Sequence, residues 1–213
     1  MTEPHYLSTR ANWEAAANET GASLESVVVK TFRTYLDETY PGQFRVDSHP
    51  TDFKQLYLEE DYRRTPENYV KPVKPVPGDI WYDEIRKIFL VQGAKSPAVA
   101  QCGCVPDVKI TCLANGHAYF VECKAQNDAG NAHERACKFA TPSMIGAMQR
   151  KMGVGYHPMG YLFSGDLVTK KKYVLELQLS FAFASEHMVL WPKTRPAAQL
   201  VQWFEKVVKG LLI

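Results

Sequence analysis

The sequence predicts an α/β or α+β fold built on a mixed sheet, with α/β the class expected. Three observations carry that expectation: a helical apolar pattern near the start, two strands around a turn signal, and helix and strand patterns that alternate to the end of the chain. Ser23 to Tyr40 has apolar residues at 24, 27, 28, 32, 35 and 36, which is helical spacing. Ser23 is a fitting N-cap, and Pro41-Gly42 is the stop. Lys71 to Gly78, with three prolines, reads as an extended connector. Trp81 to Val91 is open between helix and strand. Val105–Leu113 and His117–Lys124 flank Asn115-Gly116, a strong two-residue hairpin turn. Asn131–Phe139 and Ser143–Met152 read as helices around Thr141-Pro142, and Gly160–Phe163 as a short buried strand. Tyr173–Phe183 alternates well enough for a strand, with a helix as the alternative. Ala197–Leu212 closes the chain as an amphipathic helix.

Composition narrows the class. The 213 residues are 46% hydrophobic and 23% charged, enough for one sizeable core and against wholesale disorder. One domain over 1–213 is expected. No window approaches ~18 consecutive apolar residues, so no membrane span is expected. Met1–Arg10 lacks the apolar core of a secretory signal. Lys plus Arg number 25 against 23 for Asp plus Glu, a net charge of +2 that neither demands nor forbids nucleic acid. Five cysteines, an odd count without a signal, read as reduced thiols of a cytoplasmic protein. Their spacing does not make a zinc site.

The hairpin concentrates charge. With Asn115 and Gly116 as the two turn residues, Asp107 is expected opposite Lys124, and Lys109 opposite Glu122. One face then carries Asp107, Lys109, Glu122 and Lys124. The other carries Val108, Ile110, Cys112, Tyr119, Val121 and Cys123. A solvated strand face has the same pattern. Three details favour a site instead: Pro106-Asp107 stands where a strand begins, Glu122-Cys123-Lys124 lies beside it, and Phe120 and Val121 make the second strand largely apolar. Neighbouring carboxylates repel unless a cation joins them, and hard oxygen ligands suit Mg²⁺. A lysine beside them can activate a water or stabilise phosphate charge.

Pro-Asp followed by Glu-x-Lys resembles the motif of the PD-(D/E)XK nuclease superfamily. The segment after it, Gly130-Asn131-Ala132-His133-Glu134-Arg135, is open to a plainer account: Asn131 and Glu134 make a capping box worth ~1 kcal/mol. The whole string nevertheless resembles the recognition segment of the EcoRI/MunI-like Type II restriction endonucleases, on the MunI-like side. That pattern continues through Arg135–Phe139 and Thr141-Pro142. Looser likenesses are Arg10–Trp13, Phe163–Asp166, Trp191-Pro192 and Leu200–Gln202.

The resemblance implies a restriction-endonuclease-like α/β/α core and a homodimer. It implies Mg²⁺-dependent hydrolysis of both strands of double-stranded DNA at a short palindrome centred on AATT. Asp107 and Glu122, helped by the Cys123 carbonyl, would be metal ligands, and Lys124 the catalytic lysine. Glu25 is the candidate for an additional acid, although the dipole of the first helix explains it equally. Asn131, Ala132, Glu134 and Arg135 would read adenines; an amide pairs bidentately with adenine and a carboxylate accepts from N6. Where the MunI-like pattern has an arginine before the glycine, this chain has Ala129, which leaves the outer base pair without that reader. Lys138, Arg150, Lys151 and Lys170–Lys172 are candidates for phosphate contacts, with solvated surface as the alternative.

Three other readings compete. A repair or junction-resolving nuclease keeps the fold and changes the substrate. A non-catalytic DNA-binding module has no use for the Asp107/Glu122/Lys124 set. A cysteine hydrolase is disfavoured because Cys123 points to the apolar face, where burial raises a thiol's pKa.

Overall fold

The computed structural model describes residues 24–54, 104–126 and 136–213. Among these, helix α1 spans 24–39 and is followed by β1 (Phe44–Ser48). The hairpin strands are β2 (Val108–Cys112) and β3 (Ala118–Gln126). A short 3₁₀ turn, Lys138–Ala140, leads into α2 (Pro142–Met152) and β4 (Met159–Gly165). Helix α3 (Lys171–Ser180), a 3₁₀ segment (Ala182–His187) and β5 (Met188–Trp191) follow. Helix α4 begins at Ala197–Trp203 and runs through a π-helical turn, Phe204–Val208, into Lys209–Leu212.

The described strands form a five-stranded sheet in the order β1-β2-β3-β4-β5. β1–β2 and β2–β3 are antiparallel, whereas β3–β4 and β4–β5 are parallel. Helices cover both faces. On one side Leu24, Val28, Phe32 and Leu36 of α1 and Leu200, Phe204 and Val208 of α4 pack on Val108, Ile110, Tyr119 and Val121. On the other, Met144, Ile145 and Met148 of α2 and Leu177 of α3 pack on Phe120, Tyr161 and Phe163. The expected α/β/α core with a mixed sheet is what forms. Gly160 makes one contact in it possible: a Cβ there would stand 2.6 Å from the Trp203 ring.

Local sequence accounts for several boundaries. Helix α1 ends as expected at Pro41-Gly42, where Gly42 takes φ 72° and the Gln43 N–H donates to the Tyr40 carbonyl. Pro142 occupies the first turn of α2, and the Thr141 hydroxyl caps it by accepting the Met144 N–H. Gly153 closes it in the left-handed region at φ 69°.

Two expectations are corrected. The segment 173–183 is not a strand: α3 occupies 171–180, and of its leucines only Leu177 is fully buried, while Leu175 and Leu179 face solvent. Alternating apolar letters there do not mark a face of the sheet. The hairpin turn is also longer than two residues. Cys112 N–H donates to the His117 carbonyl and Gly116 N–H to the Cys112 carbonyl, so residues 113–116 form a four-residue loop. Asn115 and Gly116 close it: Asn115 Oδ1 accepts the His117 N–H, and Gly116 takes φ 76°. The reason is tertiary. Asn115 Nδ2 donates to the Leu212 carbonyl of α4, and Leu113 N–H donates to the Gln43 carbonyl beside β1.

Among the described residues no helix is long and apolar enough to cross a membrane. Strands β1 and β5 had no clear sequence signal. The connector at 71–78, Trp81–Val91, Ser23 and Arg10–Trp13 lie outside the described residues.

Candidate active site

The longer loop slips the hairpin by two residues relative to the register expected from sequence: Val108 pairs with Val121 and Lys109 with Phe120. The paired register ends at Val108, and Asp107, held by Val121 and Cys123, is not opposite Lys124. A slip of two preserves which face each side chain takes, because the side-chain period of a strand is two. Lys109, expected opposite Glu122, instead pairs with Asp52 and lies 5.5 Å from the centre of the Phe120 ring. The charged face is therefore redistributed, with Lys109 drawn away to Asp52.

Asp107 and Glu122 are only 8% and 5% exposed. The Asp107 N–H donates to the Val121 carbonyl, and its carboxylate accepts the Cys123 N–H over 2.6 Å. Lys124 Nζ donates to Glu122 Oε1 and, over 3.1 Å, to the Cys123 carbonyl. Burial, then the charge of Glu122, push the Asp107 carboxyl up to about 8, against the pull of Lys124 and the Cys123 N–H. Burial works to lower Lys124, but Glu122 and Asp107 outweigh it and raise the ammonium. Two buried, neighbouring carboxylates keep both charges only with added cationic charge between them. This donor set of hard oxygens fits a divalent metal such as Mg²⁺.

Cys123 turns to the α1/α4 core, as expected, and burial there raises its thiol well above the ordinary range. A thiolate nucleophile at this position is thereby disfavoured.

The structure also brings Glu25 to this place. Ligand atoms of Glu25, His49 and Asp107 all lie within 4.8 Å of one another. His49 was missed from sequence: it stands just after β1, a strand without a clear signal, and a single histidine before a proline carries no motif. An open cleft beside it is lined by Glu25, Ser26, Val29, Lys30, Arg33, Thr34, Ser48 and His49.

The basic candidates separate. Lys170 pairs with the buried Asp166 at 2.9 Å, and Lys193 joins the same carboxylate at 3.2 Å. Asp166 follows Gly165, the partner of Gln126 at the end of β3, so this pair lies at the same end of the sheet as Lys124. Arg150 and Lys151 sit in the last turn of α2. Neighbouring Gln149 bonds to Tyr156, whose hydroxyl donates to the Ala118 carbonyl, so they mark the opposite end of β3. The six residue steps of strand from Ala118 to Lys124 span ~20 Å. For Lys138 only the backbone is described, and Asn131, Ala132, Glu134 and Arg135 lie outside the described residues.

Comparison with known proteins places these features in a family. The family model described as Type II restriction enzyme MunI matches residues 2–213. The Type II restriction enzyme MunI of a Mycoplasma species is 25% identical over 219 residues, covering 97% of both chains. The crystal structure of MunI restriction endonuclease in complex with cognate DNA is similar with a TM-score of 0.61 and 22% identity, over 95% of this chain and 98% of that one. At that identity the structural likeness carries the fold.

Proposed function

Since the chain belongs to the MunI family of Type II restriction enzymes, we propose that it is a site-specific deoxyribonuclease that cuts both strands of double-stranded DNA at a short palindrome centred on AATT. One observation carries the chemistry: Asp107 and Glu122 are both buried beside Cys123, whose N–H donates to the Asp107 carboxylate, with the Lys124 ammonium between Glu122 and the Cys123 carbonyl.

Asp107, Glu122 and the Cys123 carbonyl would hold Mg²⁺, which when bound supplies Lewis-acid stabilisation of phosphate charge and a more acidic water. The protein's own part is positioning and charge. The Cys123 N–H fixes the Asp107 carboxylate against β3. Lys124, anchored at Glu122, puts a positive charge where negative charge develops on the scissile phosphate. Lys170, anchored at the buried Asp166, is suited to a flanking phosphate at the same end of the sheet. Asn131, Ala132, Glu134 and Arg135 would contact the adenines in the major groove. A homodimer would present two copies of this set to the two halves of a palindrome.

Digestion of a supercoiled plasmid with Mg²⁺, followed by sequencing of the fragment ends, tests the reading. Discrete fragments whose ends map to AATT are expected. Cutting confined to branched DNA would replace it with the junction-nuclease reading, and the absence of any cutting with the binding-module reading.

A further inference from the structure

Glu25, His49 and Asp107 come from three separate segments: the first turn of α1, the residue after β1 and the residue before β2. Their ligand atoms nevertheless converge to within 4.8 Å of one another. A divalent ion bound at about 2.1 Å sets ligand atoms about 3 Å apart at right angles and about 4.2 Å apart when opposite. His49 Nε2 and Glu25 Oε2 stand 3.0 Å apart, the length of one edge of such a polyhedron.

An ordinary ion pair accounts for only part of this. With His49 61% exposed, a pair with Glu25 is a solvent-screened surface contact that contributes little. It also leaves Asp107, which is buried, outside the account. His49 is also tied to Asp107 through the backbone: its N–H donates to the Asp107 carbonyl over 2.9 Å, and His49 takes φ 49°, in the left-handed region that non-glycine residues seldom adopt. The cleft lined by Glu25, Lys30, Arg33 and His49 opens the position to solvent.

We propose that Glu25, His49 and Asp107 form a second divalent-cation position sharing Asp107 with the first, and that His49 makes this position select Mn²⁺ or Co²⁺ over Mg²⁺. The proposal rests on the reading of Asp107 as a cation ligand. An aspartate can bridge two ions about 3.5–4 Å apart, as in two-metal phosphodiester sites. The second position differs in its donors. An imidazole nitrogen suits first-row transition metals, whereas Mg²⁺ favours oxygen and keeps much of its water.

Calorimetric titration of the full chain with Mn²⁺, without DNA, tests the assignment, and the visible absorption of bound Co²⁺ provides a second readout. Two Mn²⁺ binding events are expected in the unmodified protein. His49→Ala and His49→Asn should both weaken one event by about tenfold or more, shift the Co²⁺ spectrum and leave Mg²⁺ binding unchanged. The Asn variant tolerates the left-handed backbone, so it separates loss of the imidazole from loss of local structure. Asp107→Asn should remove both events. Unchanged Mn²⁺ binding in both His49 variants, with Asp107→Asn still defective, overturns this proposal and leaves the active-site reading intact. Unchanged binding in Asp107→Asn overturns the ligand reading on which it rests.

Discussion

The backbone N–H of Cys123 donates to the Asp107 carboxylate over 2.6 Å. Strand β3 thus holds the acid that enters β2, while its next residue, Lys124, reaches back to Glu122. Three consecutive residues of one strand thereby organise both carboxylates. This arrangement couples the geometry of the site to the hairpin.

Asp107→Ala, Glu122→Ala and Lys124→Ala should each lower cleavage by about 10²–10³-fold or more, while specific DNA binding survives. Gel-shift and cleavage assays on the same oligonucleotide check this. Near-normal cutting by the Asp107 or Glu122 variant would remove them as metal ligands.

Cleavage should require Mg²⁺ or Mn²⁺ and stop with chelator. Ca²⁺ should permit binding without cutting, because its looser, larger coordination places an attacking water poorly. Full activity after exhaustive chelation would sink the metal mechanism.

Arg135→Ala should cut specific cleavage by orders of magnitude, since losing a good base contact costs ~1–3 kcal/mol in each half of the site. Lys170→Ala should instead weaken binding to all sequences alike and reduce the salt slope by about one. With Ala129 in place of an outer-pair arginine, the site should be a bare four-base palindrome or have outer pairs read by other residues. Fragment ends at sites lacking AATT would defeat the recognition assignment alone.

The stability contributed by the His157/His187 pair should fall as pH drops below about 6.5 toward 4, outweighing the opposite effect of the single raised Asp107 carboxyl. His157 and His187 stack with ring centres 4.2 Å apart, and the Tyr119 hydroxyl meets His187 Nδ1 at 2.7 Å. His157 Nδ1 accepts the Met159 N–H, and Glu186 is the nearby carboxylate at His187 Nε2. Burial lowers both imidazoles to about 4, with the His187 charge adding to the effect on His157. The folded state therefore binds fewer protons than the unfolded chain in this window, and its stability declines as pH falls. The slope should be at most ~1 kcal/mol per pH unit for each histidine, reduced by partial solvation. Denaturant titrations at pH 7, 5.5 and 4.5 measure it. His157→Phe, which keeps a ring in the stack, should flatten the slope; an unchanged slope would exclude the pair as its source.

By itself, the sequence determined which face each hairpin residue takes. The period of two makes that robust to a slip of two, so Val108, Ile110, Tyr119 and Val121 reach the α1/α4 core in either register. It also determined α1, α2 and α4, whose apolar spacing and end signals are local. Only the tertiary structure decided which charges meet. The bonds from Asn115 to Leu212 and from Leu113 to Gln43 lengthen the turn, and that loop sets Lys109 opposite Phe120, where it meets Asp52, and leaves Asp107 beside Cys123. Alternating leucines at 173–183 left helix and strand open locally, and packing of Leu177, with Tyr173 and Phe181, resolved them as α3. Glu25 and His49 lie 82 and 58 residues before Asp107 in the chain. No local pattern can join them, because convergence over such separations is decided by which faces of α1 and β1 the sheet buries.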